Sequence, residues 1–119
     1  SAEECKAEGF TAAVSKREGY SPIELKAGGY SAQELKEAEV SAKEAGFSAE
    51  ECKAAGFTAA ESKREGYSPI DLKAGGYSAQ ELKEAEVSAK EAGFSAEECK
   101  AEGFTAAVSK REGYSPIEL

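Results

Sequence analysis

Apolar side chains return along this chain on a ten-residue beat. A Gly-aromatic pair followed by Ser or Thr recurs in GFTAAVSKRE and GYSPIELKAG, and units begin at Ser1, Thr11, Ser21 and Ser31 with the consensus S/T-A-x-E-L-K-x-x-G-F/Y. Each position in the unit has a helical role. Ser or Thr is a favoured N-cap, and a Glu three residues later can reach back to the cap's own N–H, which predicts capping boxes at Ser1/Glu4, Ser21/Glu24 and Ser31/Glu34. Pro22 falls at the first helical position, where its missing N–H is tolerated. Gly9, Gly19 and Gly29 fall where a left-handed residue ends a helix. Phe10, Tyr20 and Tyr30 precede the next caps and can staple onto Ser15, Leu25 and Leu35. Helices this short are well below the roughly 12–15 residues needed for stability alone, so the units must stack.

A longer period contains the short one. SAEECKA begins at Ser1, Ser48 and Ser95, a spacing of 47 residues (48 − 1 and 95 − 48). The first two copies differ only at Glu8/Ala55, Val14/Glu61 and Glu24/Asp71, and the partial third copy matches the first at those positions. Such near-identity points to recent tandem duplication or to design. The organisation is thus a single array over 1–119, with repeats at 1–47, 48–94 and, in part, 95–119.

The beat falters once per long repeat. At Glu39 and Val40 the glycine is missing, while Leu35, Ala38, Ala42 and Ala45 fall at helical spacing on one stripe. Glu39 and Lys43 also form an i, i+4 pair in the favourable orientation. The favoured expectation is one continuous helix from Ala32 to Ala45, repeated at Ala79 to Ala92, so that each long repeat has three short helices and one longer one. The alternative is a break at Val40, with Ser41/Glu44 as another capping box and a very short last helix. On the continuous helix Val40 and Val87 point away from the stripe. They are then candidates for contacts outside their own coil, or for packing against a neighbouring one.

Composition narrows the function classes. The apolar fraction is 40%, much of it alanine, and Met, Trp and His are absent. A net charge of −8 with interleaved acid and base (SKREG, ELKEAE) reads as a solvated face and argues against nucleic acid, whose phosphates require clustered Lys and Arg. No apolar run approaches the roughly 18 residues that cross a bilayer, so no membrane segment is expected. The sequence opens and closes in mid-pattern, as an excerpt of a longer array would.

No chemistry stands out. Cys5, Cys52 and Cys99 recur once per long repeat and share the unit position of Leu25 and Leu35. Burial as small hydrophobes is the favoured reading, and cross-linking between chains is the sharper alternative. With no His and wide spacing they lack zinc-ligand geometry. Glu3/Glu4 reads as charge at a helix N-terminus rather than an acid–base pair. Gly28-Gly29 lacks a phosphate-loop pattern and reads as a helix end with an extra small residue for close packing, and no calcium loop occurs. Ser15, Ser62 and Ser109 are small residues at the position of Cys5. No catalytic, cofactor-binding or metal-ligating residue is expected, and the chain is not expected to be an enzyme. The phenylalanines and tyrosines form a structural spine, with Tyr in place of Phe where a ring edge reaches water or a polar partner.

The units GYSPIELKAGGYSAQELKEA and GFSAEECKAAGFTAA resemble short tandem helical repeats of the G-F/Y-S/T-A-x-E-L-K-x-A kind found in repeat-rich proteins. The resemblance covers essentially the whole chain and implies no activity or cofactor. Val14 or Glu61 at the capping-box position, and Ser at the Leu position, depart from the pattern and weaken individual units. The expected fold is an all-α solenoid of short capped helices. The expected function is a fibre, filament or spacer built by stacking of helical coils, its partner being further copies of itself. The alternative is a protein-binding scaffold with one site per 47-residue repeat at Val40, Lys43, Val87 and Lys90.

Overall fold

The computed structural model describes residues 1–118. Among them twelve helices run in order: α1 (Ala2–Ala7), α2 (Ala12–Arg17), α3 (Pro22–Ala27), α4 (Ala32–Glu37), α5 (Ala42–Ala45), α6 (Ala49–Ala54), α7 (Ala59–Glu65), α8 (Pro69–Ala74), α9 (Ala79–Glu84), α10 (Ala89–Ala92), α11 (Ala96–Ala101) and α12 (Ala106–Arg111). The all-α repeat expected from the pattern is what forms. The chain divides into two compact units, Ser1–Phe57 and Thr58–Leu119.

Local chemistry sets the helix limits. Ser1, Ser21 and Ser31 each accept a hydrogen bond from the third helical N–H, while Glu4, Glu24 and Glu34 return one from the cap, completing the predicted boxes. Pro22 occupies the first turn of α3. Glu61 does not weaken its unit, contrary to expectation: it completes a box with Thr58, whereas at Val14 the cap Thr11 only accepts. Of the two adjacent glycines, Gly29 takes the left-handed conformation (φ +101) and Gly28 does not. A Cβ on Gly28 would lie 2.8 Å from the backbone of Ala2 and Glu3, so its smallness lets α3 lie close against α1.

The continuous helix over Ala32–Ala45 does not form. Glu39 adopts φ +58 and stands in for the absent glycine, and Val40 N–H closes onto the Leu35 carbonyl at 2.8 Å. The chain restarts at Ser41, which caps α5 by accepting from Glu44 N at 3.1 Å. The same break recurs at Glu86 (φ +59), between α9 and α10. Capping at Ser41 and closure at Val40 together outweigh the left-handed penalty of about 1–2 kcal/mol on a residue with a Cβ. The irregular element is therefore a short unit, SAKEAGF. Its cap and its end are both kept: Ala45 N–H bonds to Ser41 O as Cys52 N–H does to Ser48 O, and Phe47 N–H to Ala42 O as Phe57 N–H does to Cys52 O, so only the helix between them is shorter.

Within each unit a helix packs on the next helix and on the one after it: α1 on α3, α2 on α4, α3 on α5 and α4 on α6, then α7 on α9, α8 on α10 and α9 on α11. Ala2, Ala12, Leu25, Tyr30, Leu35, Val40 and Ala45 form one core cluster. Ala79, Ala89, Ala96, Cys99, Phe104 and Tyr114 form another. Small alanines near the start of most helices let backbones approach, and the larger side chains fill the space behind them.

Two outcomes follow. Gly at 39 and 86 relieves the left-handed strain, so Glu39→Gly and Glu86→Gly should each stabilise by about 0.5–1 kcal/mol, seen as a higher urea midpoint. An unchanged or lower midpoint would mean that the Glu side chains compensate the strain. Backbone N–H bonds from Ser31, Ser48 and Ser95 hold the carboxyls of Glu34, Glu51 and Glu98 below their ordinary value of 4.5. Because the folded values are depressed, this stabilisation is complete above the ordinary value and is lost as pH falls through the folded ones. The urea midpoint should therefore drop on acidification below about pH 4.5 and be more nearly level above it, and a midpoint that rose on acidification would contradict the role given to the caps.

Candidate functional site

The features that recur in both units are built from side chains reaching across helices. The fifth position of the ten-residue unit is enclosed in all but the first: Leu25, Leu35, Leu72, Leu82, Cys52, Cys99, Ser15, Ser62 and Ser109 are buried. Cys5, in contrast, is only half-buried, and all three cysteines are thiols. The favoured reading of Cys52 and Cys99 as core residues holds.

A tyrosine fifteen residues on meets this position wherever it is small and polar. Ser15 Oγ lies 2.8 Å from Tyr30 OH, and Ser62 Oγ lies 2.9 Å from Tyr77 OH. Tyr30 OH donates to Phe10 O at 2.7 Å, which leaves Ser15 as donor to the phenol oxygen. Cys99 Sγ donates to Tyr114 OH, which in turn donates to Phe94 O. Burial, reinforced by the Cys99 contact, pushes the Tyr114 phenol far up, and burial raises the Cys99 thiol, so both stay protonated at neutral pH. The Cys5 thiol also raises the Tyr20 phenol. Each of the buried bonds, at Ser15, Ser62 and Cys99, contributes about 1 kcal/mol net, and an unpaired buried hydroxyl would cost more.

The same spacing explains the valines. Leu25 stands fifteen residues before Val40 and Leu72 before Val87, and Leu25 and Val40 share the first core cluster. A bulky aliphatic side chain leaves less room for a ring and offers no hydroxyl partner. Val40 and Val87 are 6% and 5% exposed. The structure therefore places them inside as fillers of the aromatic row, the packing alternative, and does not present them at a surface. The large apolar residues exposed in mid-chain are Ile23 and Ile70, each 65% exposed and 47 positions apart (70 − 23). They follow the prolines of α3 and α8, and the sequence reading passed over them because the motif SPIEL explains its Ser, Pro and Glu as capping residues.

Lysines form a second row. Lys26 Nζ donates to Gly46 O at 3.0 Å and lies 4.8 Å from the Phe47 ring centre, and Lys73 does the same to Gly93 O at 2.9 Å and Phe94 at 4.8 Å. Lys90 donates to Gly113 O at 3.0 Å and to Glu118 at 3.1 Å, beneath the Tyr114 ring at 5.9 Å. Each cation closes a carbonyl at the end of the helix two further on and covers its aromatic residue. Glutamates do the converse for N-termini. Glu102 accepts from Ala79 N at 3.1 Å and Gln80 N at 3.0 Å, and Glu112 from Ala89 N at 3.2 Å. The interleaved charges are thus partly structural, a use that reading them as a solvated face missed. The regular spacing of Lys before Gly-aromatic was the available signal, but it says nothing about which helix the lysine reaches.

Among the described residues no group of side chains is arranged to hold a metal ion, and no helix is long and apolar enough to cross a membrane. The buried hydroxyls at Ser15 and Ser62 are tied to phenols and not to a base. What the arrangement offers chemically is adhesion between successive helices.

No curated protein and no solved structure matches the chain. The family described as "Decapeptide repeat region" matches residues 1–69, 41–105 and 59–119. Those overlapping segments carry the ten-residue unit with its cap, lysine, glycine and aromatic positions from one end to the other, and the chain belongs to this Decapeptide repeat region family.

Proposed function

We propose that the chain is a structural repeat protein, a spacer or filament element whose function resides in length and periodicity. The observation that supports this most is the closure of helix ends by side chains from two helices away. It is the same in each unit, as with Lys26 on Gly46 and Lys73 on Gly93. Interactions of this kind are satisfied by near neighbours along the chain, so copies can be added without redesigning a core. In this reading the partners are further copies of the chain, no reaction is catalysed, and neither nucleic acid nor membrane is involved. Buried Cys52 and Cys99 belong to the packing and do not cross-link.

A second reading, a protein-binding scaffold with one site per 47-residue repeat, is favoured by the recurrence of exposed Ile23 and Ile70. Electron microscopy at high concentration, with and without reductant, separates the two. The structural reading expects filaments that persist in reductant and whose axial repeat relates to the long period. Discrete particles in both conditions would overturn filament formation, and filaments lost in reductant would return the cysteines to a cross-linking role.

A further inference from the structure

A pocket of about 530 Å³ opens on the face shared by α11 and α12, where Ala96, Lys100, Phe104, Ala106 and Ser109 line it. Ser109 is 2% exposed, yet among the described residues no hydrogen bond engages its Oγ, and no hydrogen bond, ion pair or ring engages Lys100 Nζ. Their counterparts in the first unit are both engaged. Ser15 Oγ meets Tyr30 OH at 2.8 Å, and that phenol donates to Phe10 O at 2.7 Å. Lys6 Nζ stands 5.3 Å from the Tyr30 ring centre and 3.4 Å from a Glu34 carboxylate oxygen. Gly28 packs on Ala2 so closely that a Cβ would lie 2.8 Å from it and from Glu3 N. Ala2, Lys6, Phe10 and Ser15 correspond in the sequence to Ala96, Lys100, Phe104 and Ser109. The pocket is therefore lined by the residues that, in the first unit, hold the segment 28–34. Ala106 agrees with this: it is exposed, whereas Ala12 and Ala59, over which α4 and α9 pack on α2 and α7, are 3% and 4% exposed. The position fifteen residues beyond Ser109, where Ser15 and Ser62 find their tyrosines, lies past Leu119.

We infer that this pocket is a tyrosine socket, taking a Gly-Gly-Tyr-Ser-Ala-Gln-Glu repeat segment presented unpaired by a second chain. The phenol donates to Phe104 O and accepts from Ser109 Oγ, the first glycine lies on Ala96, and the glutamate pairs with Lys100 beside the ring. A phenylalanine would fill the space but leave the Ser109 hydroxyl without a partner. Any residue with a Cβ in place of the first glycine would strike backbone. The inference rests on the structural reading, in which chains of this repeat adhere to one another, and names one contact by which they do so.

The test is an NMR titration of the labelled chain with an amidated synthetic peptide that copies residues 26–40. Amide shifts should concentrate at residues 96–109 by about 1 mM peptide. Tyr30→Phe in the peptide and Ser109→Ala in the chain should each weaken binding about fivefold, and the two together by well under the product, because they share one hydrogen bond. Gly28→Ala in the peptide should weaken it at least about tenfold. Ser109→Ala should leave the urea midpoint of the free chain unchanged, since its hydroxyl has no partner to lose, whereas Ser15→Ala should lower it. No shifts by about 1 mM peptide, equal shifts at residues 2–15, or equal binding of the Tyr30→Phe peptide would overturn the inference. Filaments from a chain that takes up no peptide would sink the socket and leave the structural reading standing, and uptake by a chain that forms no filaments would do the reverse.

Discussion

A helix of six residues cannot hold itself together. It contains barely more than one turn, and its orphan N–H and C=O groups, about four at each end, outnumber its residues. Everything else in this protein answers that constraint. Ser, Thr and Glu close the N-terminal amides from within each unit. Glu102 and Glu112 close them from two helices on, and Lys26, Lys73 and Lys90 close carbonyls from two helices before. The low content of large apolar residues is therefore less of a handicap than composition suggests, because much of the cohesion is charge-assisted hydrogen bonding between helices. Those bonds are partly exposed, so each contributes modestly, and the sum over many units carries the fold.

The tyrosine-to-serine or cysteine bond adds register to this cohesion. A hydroxyl buried against a neighbouring helix must find one particular partner, whereas a phenylalanine can slide. Ser15 with Tyr30, Ser62 with Tyr77 and Cys99 with Tyr114 each set the position of one helix against another. Leu25 and Leu72 at the same position go with Val40 and Val87 in place of the ring. Cys99 fits this account as a slightly larger serine.

Most of the local structure was legible in the sequence, because caps, proline and glycine act within a few residues of themselves. Ser1 with Glu4, Pro22 and Gly29 all do what their positions predict. The failure at Glu39 is instructive. An apolar stripe and an i, i+4 ion pair favoured a continuous helix, but both are weak terms, and the cap at Ser41 together with the turn onto Leu35 prevailed. Pointing Val40 away from the stripe followed directly from that error, since its direction was read from a helix that does not exist. Cross-helix roles were the least legible. Lys26 and Gly46 are twenty positions apart, and only the superposition of successive helices brings them together. The exposed Ile23 carried no signal either, because its neighbours satisfied the local pattern completely.

Hydrogen exchange in a Glu102→Ala variant tests the central claim most directly, since Glu102 lies on the turn after α11 while the amides it closes belong to α9. Ala79 and Gln80 should lose protection, by about a factor of five to ten for a charge-assisted bond at a partly exposed site, with the amides of α11 little changed. Loss confined to α11, with Ala79 and Gln80 protected as before, would mean that these helices hold their own ends and that capping between helices is incidental.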